Sequence, residues 1–176
     1  RSGGVTPLKY YSSDWPYATA ALSSYDLNQD DNLDLAFGLF PNYMLTFLGT
    51  SSDYFTIGSL DTTPQFLPYD FAWGDYDADG LLDLAAAYPL ERCARIYHAS
   101  SNGSLTQAYE IRTNVFRTPL ALDWGDMDGD GMLDLILADQ PPRVYGFDGT
   151  DWNEIMTLPS SAVQGQIWSL EAADAD

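Results

Sequence analysis

Aspartates recur with the same internal spacing in three segments, residues 26–34, 75–83 and 126–134, here called the first, second and third loops. Asp or Asn stands at relative positions 1, 3 and 5 of each loop, and another aspartate stands at position 9. This spacing places oxygens on one side of a tight loop, and the backbone carbonyl at position 7 can add another. An all-oxygen ligand set selects hard ions, with Ca²⁺ favoured over Mg²⁺ by ligand number and flexibility. The pattern therefore predicts about three calcium ions.

The predicted ligands are the side chains at positions 1, 3, 5 and 9 and the carbonyl oxygen at position 7. They are Asp26, Asn28, Asp30, Asn32 (carbonyl) and Asp34 in the first loop; Asp75, Asp77, Asp79, Leu81 (carbonyl) and Asp83 in the second; and Asp126, Asp128, Asp130, Met132 (carbonyl) and Asp134 in the third. The oxygens should lie about 2.3 to 2.6 Å from each ion.

The first loop departs from the other two at two positions. Asn28 replaces an aspartate at position 3, and Asp31 stands at position 6, where the other loops have glycine for a sharp turn. Aspartate tolerates a positive φ better than most residues, so the turn remains possible. We expect the first site to be the weakest of the three.

Two other calcium-binding patterns do not fit these loops. An EF-hand requires a bidentate glutamate at position 12, but Phe37, Ala86 and Leu137 stand there. Nonapeptide calcium repeats would recur every nine residues, whereas the first aspartates of these loops are 49 and 51 residues apart. The spacing therefore excludes both.

The charge of the chain supports a cation as partner and opposes a polyanion. The 176 residues carry 26 acidic and 7 basic side chains, a formal net charge of −19, so nucleic acid would be repelled. Fourteen of the acidic residues lie in four clusters, the three loops and residues 174–176, which so few basic side chains cannot neutralise. No apolar run approaches the roughly 18 residues of a membrane span, so no transmembrane segment is predicted.

Catalytic chemistry is not predicted in this chain. Dense carboxylates could be a glycosidase acid and nucleophile pair, but nearly every clustered carboxylate already has a metal-ligand position. His98, the single histidine, is interpreted as a surface or rim side chain rather than a general base, and Cys93 as a small buried hydrophobe. The tryptophans could form a carbohydrate-stacking surface, yet their positions beside the loops and in strands fit packing better.

The sequence surrounding the loops repeats as well. A fourth copy begins at Asp174, 48 residues after Asp126, and the residues form one repeat array over 1–176 with units beginning near 26, 75, 126 and 174. Short apolar or alternating segments predict about four strands per unit. The named segments are 19–24, 33–39, 71–73, 82–88, 95–98, 105–111, 120–124, 133–138, 143–147, 152–158 and 166–170.

A period near fifty with four antiparallel strands predicts an all-β fold, a β-propeller of four-stranded blades. The chain should contain about three and a half blades and be a fragment of a larger propeller. The remaining blades of the same protein are then its first predicted partners, since a blade cannot bury both faces without neighbours.

The chain resembles the FG-GAP or VCBS repeat family, the calcium-binding blades of integrin alpha-subunit propellers and many bacterial surface proteins. The resemblance rests on the loops, on Trp-Gly-Asp at 73–75 and 124–126, on Asp-Leu after each loop, and on the following prolines Pro41, Pro89 and Pro141. It implies that each loop joins the first and second strands of a blade and holds one structural calcium at the rim.

Two functions are compatible with this resemblance. The first is an extracellular or cell-surface, non-catalytic module for adhesion, recognition or scaffolding, with a protein or carbohydrate ligand. The alternative is an accessory propeller of a secreted polysaccharide-active or phospholipid-active enzyme. Calcium loops of extracellular modules bind with dissociation constants of about 10⁻⁴ to 10⁻³ M, which favours secretion in either case.

Overall fold

The structure, a computed structural model, describes residues 19–39, 42–52, 54–113, 119–159 and 172. Within these residues the chain forms twelve β-strands and no helix, and so contains no helix able to span a membrane. The strands are β1 (Thr19–Tyr25), β2 (Asp34–Leu39), β3 (Tyr43–Gly49), β4 (Phe55–Asp61), β5 (Asp70–Gly74), β6 (Asp83–Tyr88), β7 (Cys93–Ala99), β8 (Leu105–Arg112), β9 (Leu122–Gly125), β10 (Asp134–Leu137), β11 (Arg143–Phe147) and β12 (Trp152–Thr157).

The strands form three antiparallel sheets of four, each built from consecutive strands: β1 to β4, β5 to β8 and β9 to β12. Each sheet is therefore a simple meander, which is the arrangement of a propeller blade. The predicted all-β fold with four-stranded units is confirmed. The predicted strand at 166–170 and the truncated repeat at Asp174 lie outside the described residues.

The strands after the second and third loops, β6 and β10, are buried along their length, whereas β2 after the first loop is partly exposed at Leu35 and Phe37. In β6, Asp83 to Tyr88, every residue is buried, and the apolar run lacks the polar alternation of a strand with one wet face. Leu84, Ala86 and Tyr88 pack towards the first sheet, whereas Ala85 and Ala87 pack towards the third. The second sheet is therefore enclosed by neighbours on both faces.

Aromatic side chains fill the space between the second and third sheets. Tyr76, at position 2 of the second loop, is buried against Trp124, Phe147 and Trp152, with ring centroids 6.3, 5.2 and 5.6 Å away. Its partner Tyr109 lies 6.1 Å away in an edge-to-face contact. These described tryptophans serve packing, as the sequence predicted.

A repeated hydrogen bond joins the first strands of neighbouring sheets. The Trp73 indole Nε1 donates to Ser23 Oγ at 2.8 Å, and Trp124 Nε1 donates to the Ala72 carbonyl at 3.1 Å. Ser23 and Ala72 are equivalent residues, because each lies three residues before the first aspartate of its loop. The tryptophan before each of these loops thus fixes its sheet to the preceding one.

Gly74 is where this packing is tightest. A Cβ at Gly74 would lie 2.7 Å from Cγ and Cδ1 of the buried Trp124 ring. Gly125 holds the same place in β9, but a Cβ there would meet the Ala172 Cβ at 3.1 Å and make ordinary contacts with Ile136 and Met127 at 3.6 and 3.8 Å. The pair therefore offers a matched test of sheet-to-sheet contact.

We predict that Gly74→Ala lowers the free energy of unfolding by about 1–3 kcal/mol, because the methyl group forces Trp124 from its site. Gly125→Ala should cost clearly less. Urea unfolding followed by tryptophan fluorescence measures both values, and equal effects would show that Trp124 does not limit the approach of the sheets.

Candidate metal-binding loops

Each loop joins the first and second strands of one sheet, as the resemblance implied. The first aspartate follows the end of β1, β5 or β9, and the ninth residue begins β2, β6 or β10. The first and second loops are neighbours, because the Gln29 side-chain amide donates to the Gly80 carbonyl at 2.8 Å. The loops therefore share one edge of the molecule.

The aspartate at position 1 orders the backbone of its own loop. Asp26 Oδ1 and Oδ2 accept hydrogen bonds from the amides of Asp30 and Asp31, at 3.0 and 2.8 Å. Asp75 accepts from the equivalent amides of Asp79 and Gly80, both at 3.0 Å. Its carboxylate is thereby oriented towards the inside of the loop.

Two positions in every loop have left-handed backbone. Position 6 has φ of +67° at Asp31, +90° at Gly80 and +88° at Gly131, as the expected sharp turn requires. Position 4 is also left-handed, with φ of +56° at Gln29 and +59° at Ala78. Sequence reasoning missed this second position because only the third loop has glycine there, Gly129.

The aspartate at position 9 is buried in all three loops. Asp34 accepts hydrogen bonds from the Leu27 amide at 2.7 Å and the Gly49 amide at 2.6 Å, and so links its loop to β3. Asp83 Oδ1 accepts from Ala99 in β7 at 2.8 Å, and Asp134 Oδ2 accepts from Met127 at 2.8 Å. This aspartate is thus both a candidate ligand and a structural acceptor.

Burial raises the pKa of all three of these carboxyl groups. The pKa of Asp83 rises to about 6, because it loses hydration and lies near the negative charges of Asp77 and Asp79, which outweigh the lowering effects of the Ala99 amide and His98. Its Oδ2 is buried and makes no hydrogen bond within the described structure. A cation in the second loop would relieve this cost.

Carboxylates converge in two of the loops. One oxygen each of Asp75, Asp77 and Asp79 lies within 4.8 Å of the others, and Asp126, Asp128 and Asp134 form a similar group. Residues 26–34, all of them described, form no such group of three. Oxygen donors at this density suit Ca²⁺ in the second and third loops. The first loop, with Asn28, has a poorer set, in line with its expected weakness.

His98 lies beside the second loop, a neighbour that linear spacing did not reveal. Its Nδ1 is 3.3 Å from Asp77 Oδ2 and 3.3 Å from Asp83 Oδ1, and its Nε2 is 3.9 Å from Asp79 Oδ2. The His98 side chain is 38% exposed, consistent with the predicted surface or rim position. The sequence missed the proximity because it arises from pairing of β6 with β7.

One further prediction concerns Cys93, which lies away from the loops. Cys93 is a fully buried free thiol, and burial raises its pKa to about 12, so it behaves as the expected hydrophobe rather than a nucleophile. Asn102 and Gly103 form a turn between β7 and β8, in which Gly103 has a φ of +76°. Trp168, which was also expected in a strand, lies outside the described residues.

Comparison with known families supports the repeat assignment. Residues 75–137 match the family model of the FG-GAP-like repeat, from the first aspartate of the second loop to the end of β10. This segment is therefore similar to the FG-GAP-like repeat, which agrees with the resemblance seen in the sequence. No curated protein matches the chain.

In metal-free protein, we predict that stability falls as pH rises from about 4 to about 6. The folded state holds the Asp83 proton more tightly than the unfolded state, in which the pKa of this carboxyl group is near its ordinary value of 3.8, so deprotonation favours unfolding across this window. The measurement is urea unfolding in excess chelator at several pH values. Asp83→Asn should flatten this dependence, and an unchanged slope in that variant would exclude Asp83 as its source.

Proposed function

We propose that this chain is a calcium-binding, non-catalytic part of an extracellular β-propeller that serves adhesion, recognition or scaffolding. The FG-GAP-like repeat at 75–137 supports the propeller, and the three four-stranded meanders agree with it. The main support for metal binding is the convergence of three carboxylates in each of the second and third loops.

The proposed ligands remain those predicted from the sequence, with one carbonyl and four side chains in each loop. Asp75, Asp77 and Asp79 would hold the ion from the loop side, and Asp83 from the start of β6. Because Asp83 Oδ2 has no hydrogen-bond donor within the described structure, it keeps an oxygen for an ion. Asp134 offers Oδ1 in the third loop, since Met127 occupies its Oδ2.

Calcium in these loops would be structural. Without an ion, each loop holds three to four carboxylates at close range, and their mutual repulsion opposes the folded conformation. With an ion, the two strands that flank the loop are joined through shared ligands. The propeller edge then becomes a rigid surface for a protein or carbohydrate ligand.

An extracellular setting follows from the expected affinity. Loops in extracellular modules bind calcium with dissociation constants of about 10⁻⁴ to 10⁻³ M, which leaves them mostly empty in the cytosol and filled outside the cell. The net charge of −19 agrees with a protein that works in high calcium. The alternative, an accessory propeller of a secreted enzyme, shares both features and would differ in a linked catalytic domain.

We predict that excess chelator lowers the melting temperature and that added calcium restores it, because the ion binds the folded loops and not the unfolded chain. Differential scanning calorimetry of the full chain measures the shift, with magnesium as the control ion. A melting temperature unaffected by exhaustive chelation would contradict a structural role for calcium.

We also predict three calcium ions per chain by calorimetric titration, with the first loop weakest. Asp126→Asn should weaken one site by at least tenfold and leave the others intact, since the loops are separate. Asn28→Asp, which gives the first loop the aspartate of the other two, should strengthen the weakest site. Sub-micromolar constants throughout would remove the argument for an extracellular setting.

A further inference from the structure

The imidazole of His98 faces the carboxylates of the second loop without bonding to them. Its Nδ1 is inaccessible to solvent and lies 3.3 Å from one oxygen each of Asp77 and Asp83, yet it makes no hydrogen bond within the described structure. Nδ1 thus faces one oxygen of each carboxylate at 3.3 Å and, among the described residues, has no hydrogen-bond partner of its own. The three residues form a group whose ligand atoms all lie within 4.8 Å of one another.

Asp83 also differs from the equivalent carboxylates of the other loops. Asp34 accepts from the Leu27 amide and Asp134 from the Met127 amide, each at position 2 of its own loop. Asp83 is fully buried; its Oδ1, which lies 3.3 Å from His98 Nδ1, accepts from the Ala99 amide at 2.8 Å, and its Oδ2 has no hydrogen-bond donor in the part of the chain that is described. A buried carboxylate oxygen without a donor is costly unless a cation lies beside it.

The histidine distinguishes this loop from the other two. In each sheet, the leucine that follows the ninth aspartate pairs with an aromatic residue: Phe47, Tyr97 or Tyr145. The residue after this aromatic is His98 in the second sheet, Leu48 in the first and Gly146 in the third. Neither leucine nor glycine offers a ligand. Of the three loops, only the second therefore has a nitrogen ligand, His98, at this position of the repeat.

We propose that the second loop also binds a first-row transition ion, Zn²⁺, through His98 Nδ1 and one carboxylate oxygen each of Asp77 and Asp83. The proposal rests on the proposed function to the extent that it uses two predicted calcium ligands of that loop.

The chemistry of the three donors favours this ion. Imidazole is a common ligand of zinc and of other late first-row ions, whereas Ca²⁺ takes oxygen. Tetrahedral zinc ligands at about 2.0 to 2.1 Å from the metal are separated by roughly 3.3 Å, the distance found here between Nδ1 and both oxygens. Three protein ligands leave one position for water.

His98 is the only histidine of the chain, so its imidazole nitrogens can be assigned without ambiguity. The full chain, labelled with ¹⁵N, would be titrated with ZnCl₂ and separately with CaCl₂ while the histidine nitrogen resonances are recorded. We expect Zn²⁺ to move the Nδ1 resonance and saturate at one equivalent, and Ca²⁺ to leave it without a direct-coordination shift. A zinc shift at Nε2 instead, or none at either nitrogen, would overturn the proposal.

Calorimetry on two variants separates the zinc site from the calcium sites. His98→Leu, which introduces the residue of the first sheet, should weaken zinc binding at least tenfold and retain calcium binding. Asp126→Asn should lose one calcium site and retain zinc. Equal zinc affinity in His98→Leu would refute the assignment, and the labelled full chain decides the question should that variant fold poorly.

The same titrations distinguish the two hypotheses. Calcium binding without zinc binding would overturn only the zinc site and leave the proposed function standing. Zinc binding at Nδ1 without calcium binding would support the zinc site and overturn the proposed function.

Discussion

A buried carboxylate at the ninth position of each loop is the interaction on which the local architecture depends. In the first sheet, Asp34 holds the start of its loop through Leu27 and the end of β3 through Gly49. Removing a carboxylate from water is costly unless other groups replace its hydration. In the described structure, no lysine or arginine pairs with Asp34, Asp83 or Asp134, so backbone amides and a cation are the available compensation. The burial that fixes the sheet thereby raises the pKa of these carboxyl groups, and a cation in the loop would offset that cost.

The same geometry explains why the repeats depend on one another. The middle sheet contributes Leu84 and Ala86 to one core and Ala85 and Ala87 to another, so each face needs a neighbouring sheet. Small residues in β6 let the neighbouring sheets approach closely, and large ones such as Trp124 fill the space between the second and third sheets. Since each loop lies at the end of the buried second strand, disturbance of sheet packing reaches the loop directly. Fold and candidate site are therefore energetically coupled.

Much of this could be predicted from the sequence because the information is local. The spacing of the aspartates predicted the loops, and the named segments matched ten of the twelve strands within two residues of their observed bounds, whereas β3 and β4 had no named segment. Contacts between strands could not be predicted in this way, because they depend on how the strands pair. The proximity of His98 to Asp83 depends on the register of β6 with β7, and the missing donor of Asp83 Oδ2 depends on the loop backbone. Neither is visible in residue types alone.

Differences among the three loops arise where the shared framework places no constraint. Backbone amides donate to the carboxylates at positions 1 and 9 and so fix the conformation of the loop backbone. Packing fixes the inward residues of the strands. The position held by Leu48, His98 and Gly146 belongs to neither set, because it lies beside the loop on the third strand and is only partly buried. A substitution there changes the groups next to the carboxylates, and at Gly146 even a Cβ would lie 3.1 Å from Asp134 Oδ1. A repeated scaffold can in this way present identical loops with different ion chemistry.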